Sequence, residues 1–470
     1  MENKLWNSVI MEDYDTLKSL ISNGASFSFK REKILRYFVY KNNLEMVKFL
    51  IDHSANVNIN NDECLKIAVN NGSVKMVELL IDNGADSSSD DYFIYYYSLR
   101  LDHIQIVKYL LNKYKNCEIL SKLLLISIDT DSSFINFLID TGADINYKDG
   151  LPLIKSIQSK NFKIMDKLLK HGANPNCYKG EPLLQAINME EIFMVEKLLK
   201  HKADPNIDGG YPLILSVKNN LTDIAEYLLI NKADPNASDC RPMQIAVDNC
   251  YESMVNILLE YGANPYYNHG EFLIRAIIKN NKNIALSLIK KGVSVNGFGD
   301  TPLINAVKYN RINITDMLLK WGANPDYNDC IAIKIATNEG HYDILNLLLK
   351  RSQYVNTYEL LDMAINKRDI RTVKTILEYG LFDKTKKKTP KMTDMLGSVL
   401  GKNQGSDAKN IPFIDKCIEE KCYDIASLLM DYKLKISMNG WRKTCEDYKS
   451  GNRDTLDFIN KCKKIGLSMI

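Results

Sequence analysis

Apolar positions along this chain fall into short helical stripes that come in twos. In Pro182-Leu183-Leu184-Gln185-Ala186-Ile187, and again in Met194-Val195-Glu196-Lys197-Leu198-Leu199, the apolar residues recur at the spacing of one helix face. A short tail closes each second stripe, as in Asn83-Gly84-Ala85-Asp86, His171-Gly172-Ala173-Asn174, Gly262-Ala263-Asn264 and Gly322-Ala323-Asn324. The tail alanine recurs at 25, 55 and 85, then from 143 through 173, 203, 233, 263 and 323, with Val293 in register, so the period is thirty residues. Glycine in the tail suits the left-handed conformation that ends a helix, and the Asn-Pro or Asp-Pro that often follows bars its continuation. The pattern predicts helix–turn–helix pairs joined by short connections.

Two columns of residues say how the pairs pack. The middle of the first helix carries a small residue at Ala68, Ser98, Ser127, Ser156, Ala186, Ser216, Ala246, Ala276, Ala306 and Ala336, where a large side chain would force neighbours apart. The second helix carries paired aliphatics such as Leu168-Leu169, Leu198-Leu199, Leu258-Leu259 and Leu318-Leu319. One pair cannot bury that stripe alone, so stability comes from nearest-neighbour interfaces.

The unit typified by Thr301-Pro302-Leu303-Ile304-Asn305-Ala306-Val307, then Leu318-Leu319-Lys320-Trp321-Gly322-Ala323-Asn324, resembles the ankyrin repeat. The resemblance implies an all-α solenoid, here of about fifteen helix–turn–helix units, that acts as a protein-binding scaffold. It covers roughly residues 1 to 380 and resumes near 410. Two departures matter. The histidine that follows the family's Thr-Pro-Leu is replaced by Ile154, Leu184, Ile214, Gln244, Ile274 and Ile304. The family's usual period is about 33 residues, and the residues missing here fall where it projects a hairpin finger, so the connections should be short. Units trimmed in this way are similar to ankyrin proteins encoded in large families by giant DNA viruses, and more loosely to poxvirus host-range ankyrin proteins.

The organisation expected is a solenoid over residues 1–380 of about thirteen units, its first unit serving as a polar cap with Glu12, Asp13 and Asp15 between the helices. The register breaks once, where Lys113-Tyr114-Lys115-Asn116 replaces the tail and the next alanine arrives two residues early. Residues 381–409 form a basic insertion with Lys384, Lys386, Lys387, Lys388 and Lys391, a candidate nuclear-import or phosphate-contact run. Residues 410–470 then supply two degenerate helix pairs as a C-terminal cap.

Composition narrows the function. With 61 basic and 58 acidic residues the net charge is +3, which gives no bulk attraction to nucleic acid or anionic membrane. No stretch approaches the roughly 18 apolar residues of a membrane span, and the start of the chain has no secretory pattern. Ten cysteines without a Cys-x-x-Cys pair read as reduced thiols, hence an intracellular, cytoplasmic protein, with the nucleus as a second location if the lysine run acts as an import signal. The six histidines march along the repeats and so do not converge as metal ligands. No phosphate loop or nucleophile motif appears, so no catalytic residue, metal or cofactor is expected, and the chain reads as no enzyme.

Aromatic rings stand between the tail alanine and the next first helix at Tyr147, Tyr178, Tyr211, Tyr266 with Tyr267, Phe298 and Tyr327. Large amphipathic rings are enriched at interface hot spots, and the family resemblance places partner binding on this side and on the exposed face of the first helices. The competing assignment is that the rings pack down over neighbouring helices. The resemblance also implies candidate hydroxylation: Asn176 and Asn206, with Asn146 and Asn236, match the asparagine that host hydroxylases modify in some ankyrin proteins, and Leu168 and Leu198 stand at the favoured upstream spacing for the first two. The reading is a monomeric scaffold from a virus or other pathogen, directed at a host protein. The alternative is an assembly protein that self-associates through the solenoid. A ubiquitin-ligase adaptor has less support, because residues 441–470 show no F-box-like segment.

Overall fold

The computed structural model describes residues 2–24, 31–58, 62–86, 89–114, 116–128, 134–382, 413–432, 434, 436–452 and 454–464, without the side chains of residues 2–3, 31–32, 89–93, 298, 300 and 380–382. Among the described residues there are thirty helices and no strand. They alternate as first and second members of antiparallel pairs, from Glu2–Ile10 with Tyr14–Ser22 to Met438–Lys449 with Thr455–Lys464. The chain divides into two compact units, Met1–Asp208 and Gly209–Ile470.

Both expected columns form the interior of each unit. The small column is sealed, with Ala68, Ser98, Ser127 and Ser156 in the first unit, and Ser216, Ala246, Ala276, Ala306 and Ala336 in the second, all 0% exposed. Serine is admissible there because its hydroxyl finds a carbonyl in its own helix: Ser98 donates to Ile94 O at 2.7 Å and Ser216 to Pro212 O at 2.8 Å. The second-helix aliphatics fill the gap between pairs, and Leu168, Leu198, Leu258 and Leu318 are wholly buried.

The connections are shorter and stiffer than loops. The first helices Tyr147–Gln158, Cys177–Asn188, Ile207–Lys218, Ala237–Asp248, Tyr267–Ile278 and Tyr327–Asn338 open on consecutive left-handed residues, such as Tyr178, Lys179 and Gly180 (φ 45°, 55° and 81°) in Cys177–Asn188. The same turn recurs at Ser238, Asp239 and Cys240, and at Asn328, Asp329 and Cys330. A non-glycine residue in this region costs about 1–2 kcal/mol, and a bond across the turn offsets part of that. Gly150 N–H donates to Asn146 O at 2.9 Å, and Cys240 N–H to Asn236 O at 3.0 Å. At Gly180 a side chain would also be crowded, since a Cβ there would stand 2.7 Å from Ile207 Cγ2. This turn occupies the place where the resembled family projects its hairpin.

Where the register breaks, the connection changes type. Asn116 caps Cys117–Ser127 by accepting Glu118 N–H at 2.9 Å, and Asn356 caps Thr357–Asn366 by accepting Tyr358 N–H at 3.2 Å. In the second unit Phe413–Glu419 and Tyr423–Asp431 stack on the preceding pair. Phe413 packs on Tyr358 with centroids 4.5 Å apart, Lys416 pairs with Asp362, and Arg368 donates to Glu420 O at 2.8 Å. The last pair is joined to this one by Tyr423 to Asp447 at 2.5 Å and Lys461 to Ser427 O at 2.7 Å. Residues 383–412, with all five lysines of the basic run, lie outside the described residues.

Candidate partner-binding surface

The turn side of the pairs is built from a repeated pair of polar steps. One residue after the tail alanine, an Asp or Asn side chain accepts the N–H two residues on, as in Asp144 from Asn146, Asn174 from Asn176 and Asp204 from Asn206, each at 2.9 Å. The residue fixed in this way then reaches the next pair. Asn146 donates to Gly172 O at 3.3 Å and accepts Asn174 N–H at 2.8 Å. Asn176 donates to Lys202 O at 3.0 Å and accepts Asp204 N–H at 2.7 Å. In the second unit Asn236 joins Gly262 O and Asn264 N–H at 3.2 and 2.7 Å, and Asn296 joins Gly322 O and Asn324 N–H at 3.0 Å each. A primary amide suits the place because it donates and accepts at once.

Two substitutions in this ladder are matched by changes opposite them. Tyr266 has a hydroxyl where the amide stands elsewhere, and it donates to Lys291 O at 2.9 Å. Asp326 can only accept, and it takes Gln353 N–H at 2.8 Å and the hydroxyl of Ser352, a donor in its turn. At the irregular register, Ser121 Oγ accepts Asp144 N–H at 3.0 Å in place of an asparagine.

The candidate aromatics are not equivalent. Tyr267 is half-buried, stacks on Phe272 at 5.3 Å and donates its hydroxyl to Asp239 at 2.6 Å, a bond that holds the phenol above its ordinary pKa. Tyr327, 40% exposed, brings its hydroxyl to the preceding turn, where a Cβ on Gly299 would meet it at 2.8 Å. Tyr147 is half-buried with Lys148 Nζ 5.6 Å from its ring centroid. Tyr178 and Tyr211 expose 51% and 40% of their surface. The side chain of Phe298 lies outside the described residues. Tyr147, Tyr267 and Tyr327 stand just before a left-handed turn, Tyr178 lies within one, and Tyr211 follows one.

Next to this side runs the outer face of the first helices. In the second unit Ile274, Ile278 and Ile304 are half-buried there, and Arg275 ties two pairs together by meeting Glu271 at 2.5 Å and Asp248 at 2.8 Å. The amide of Asn268, then Arg275, holds the Glu271 carboxyl below its ordinary value.

Histidine does capping work. His103 Nδ1 lies 2.7 Å from Val69 O and His341 Nδ1 3.0 Å from Val307 O, each closing the end of a first helix in the preceding pair. Among the described residues no group of three His, Cys, Asp or Glu is placed to hold a metal ion. Burial, with Asp149 second, pushes the Cys177 thiol up to about 11, and burial does the same to Cys462, so neither is a ready nucleophile. No described helix is long and apolar enough to cross a membrane.

The family model for ankyrin repeats (3 copies) matches residues 5–91, 35–122, 123–208, 183–269 and 267–329. The chain belongs to the ankyrin-repeat family. A putative ankyrin repeat protein of Fowlpox virus (strain NVSL) is 36% identical over 95 residues, which is 18% of this chain and 22% of that protein. The match thus spans about a fifth of the viral protein's length. Among solved structures the chain is similar to the ankyrin repeat domain of human ASB11, at 20% identity over 42% of this chain and 97% of that one, TM-score 0.34. It is likewise similar to an ankyrin repeat domain from Acinetobacter baumannii AYE, at 27% identity over 36% of this chain and 97% of that one, TM-score 0.33.

Proposed function

We propose that this ankyrin chain is a non-enzymatic scaffold that captures a protein partner on the turn side and first-helix face of its repeats. One observation carries the reading. The ladder amides, the small column and the second-helix aliphatics serve to hold pairs together, while the exposed rings of Tyr178 and Tyr211 bear on no such task. A constant frame with irregular exposed side chains is how a repeat protein specifies a partner. The short fowlpox match supports a viral source; a host protein as target and a monomeric state in the host cytoplasm are parts of the same proposal.

The test is affinity capture from the native host cell with the full chain and two variants. Tyr178→Ala/Tyr211→Ala, which removes one exposed ring from each unit, is expected to lower partner recovery by at least about tenfold, the effect of losing an interface hot spot on either, with unchanged helical circular dichroism. Tyr267→Phe, which loses only the bond to Asp239, should recover the partner normally. Equal recovery by the double variant would remove the two rings from the interface, and concentration-dependent oligomers in light scattering would favour self-assembly.

A further inference from the structure

We infer that Asn296 is a site of spontaneous covalent modification, where the following glycine displaces the side-chain amide, turns a rung of the ladder into a carboxylate and loosens the pairs that the rung joins. Among the ladder asparagines only Asn296 precedes glycine, whereas the others precede residues with side chains, as in Asn146-Tyr147 and Asn236-Ala237. A backbone nitrogen reaches the amide carbon behind it most readily where no Cβ crowds the approach. Gly297 meets that condition in open surroundings, since a Cβ built on it would find only Ser294 Cβ, 3.7 Å away. The reaction needs nothing but water. The Gly297 nitrogen bonds to Asn296 Cγ, the Cγ–Nδ2 bond breaks, and the displaced amine leaves with the Gly297 proton as ammonia. Water then opens the cyclic imide. Addition at Cγ gives aspartate, and addition at the main-chain carbonyl gives isoaspartate, whose backbone runs through one more carbon.

What the change does follows from the groups facing it. The Asn296 amide donates to Gly322 O and accepts Asn324 N–H, each at 3.0 Å. A carboxylate keeps the second bond, loses the first and sets an oxygen against the Gly322 carbonyl. The next rung shows what a carboxylate requires: Asp326 faces two donors, Gln353 N–H at 2.8 Å and the Ser352 hydroxyl. The tail facing Asn296 supplies one donor and one carbonyl, so the product is mismatched there, and isoaspartate also displaces the start of the helix Gly297–Lys308. With both ends of the amide engaged, attack waits for the rung to open, and because the rung lies at the surface that opening is local. Other Asn-Gly steps set the scale. Asn83 donates to Leu79 O at 2.8 Å within its own helix, so its loss parts no pairs. Asn71 donates to Val39 O at 3.2 Å and Tyr40 O at 3.1 Å in the preceding pair, and is held back as Asn296 is.

Peptide mapping by mass spectrometry tests this on the full chain held at alkaline pH, with and without urea below the unfolding midpoint. Asn83 is expected to convert first and Asn296 after it, with urea speeding Asn296, while Asn176 and Asn236 keep their amides. Gly297→Ala is accommodated by the fold, because Gly297 does not adopt the left-handed conformation and its Cβ position is clear. That variant should lose the conversion at Asn296 over the period in which the unmodified chain shows it, with Asn83 converting as before. Asn296→Asp should lower the urea midpoint at least as far as Asn296→Ala, and the aged chain should show a shift in the same direction. Conversion at Asn296 no faster than at Asn176, the same rate in Gly297→Ala, or a midpoint for Asn296→Asp equal to that of the unmodified chain would each overturn the inference.

Discussion

Asparagine three places after the tail alanine does more for this chain than its exposure suggests. Its backbone N–H is held by an Asx turn in its own pair and its side-chain amide closes two bonds to the next, so Asn176 and Asn236 couple neighbouring repeats at their edges. Two part-exposed bonds place the expected cost of Asn236→Ala at about 1–2 kcal/mol, measurable by urea denaturation. Tyr266→Phe, which removes one bond, should cost about half as much. The asparagines were legible in the sequence, but as a match to a modified residue in relatives; nothing in the letters shows that both ends of the amide are engaged. Nor do they show that Tyr266, at the asparagine's place three after the tail alanine, is a rung of the ladder, because its bond to Lys291 O depends on where the turn points the ring. Glu271 adds a pH dependence. Its folded value is lowered, so its contribution is complete above the unfolded value of about 4.3 and is lost as pH falls through the folded one. Glu271→Gln should therefore be less stable than the unmodified chain at about pH 7, with the difference shrinking below about pH 4; a difference that does not change with pH would contradict this.

At the scale of the helix pair, packing was the most legible feature. The small column and the paired leucines were visible because side-chain volume is written directly in residue type, and both form the interior. Ala306 is wholly buried between stacked first helices, so Ala306→Leu must part them, with an expected loss of about 3 kcal/mol in a denaturant titration. Ala→Leu at an exposed helix position should change stability by less than about 0.5 kcal/mol. The connections were half legible. Thirty residues per unit required them to be short, yet consecutive left-handed residues at Tyr178-Lys179-Gly180 carry no signal beyond the glycine, and Cys240 and Cys330 do without even that. Backbone geometry imposed by packing on the next pair decides the matter there, and residue propensity yields to it.

Across the whole chain the period determines what kind of molecule this is, and the irregular surface determines what it meets. A frame of nearest-neighbour interfaces leaves side chains on the turn side and first-helix face free to vary without loss of fold. That is why family and fold could be read from spacing, whereas the partner could not: recognition is encoded in the unrepeated residues, for which one sequence offers no key. The second helices lie on the opposite side of each pair, with charges such as Lys170 to Asp166 and Lys320 to Asp316 paired within one helix. The most direct test of the scaffold claim is amide hydrogen exchange on the full chain, free and bound to the partner it captures. The account predicts added protection in peptides from the turns and first helices, including 177–188, 207–218 and 267–278, with the second helices unchanged. Protection confined to second helices such as Ile192–Lys200 and Ile312–Lys320 would contradict it.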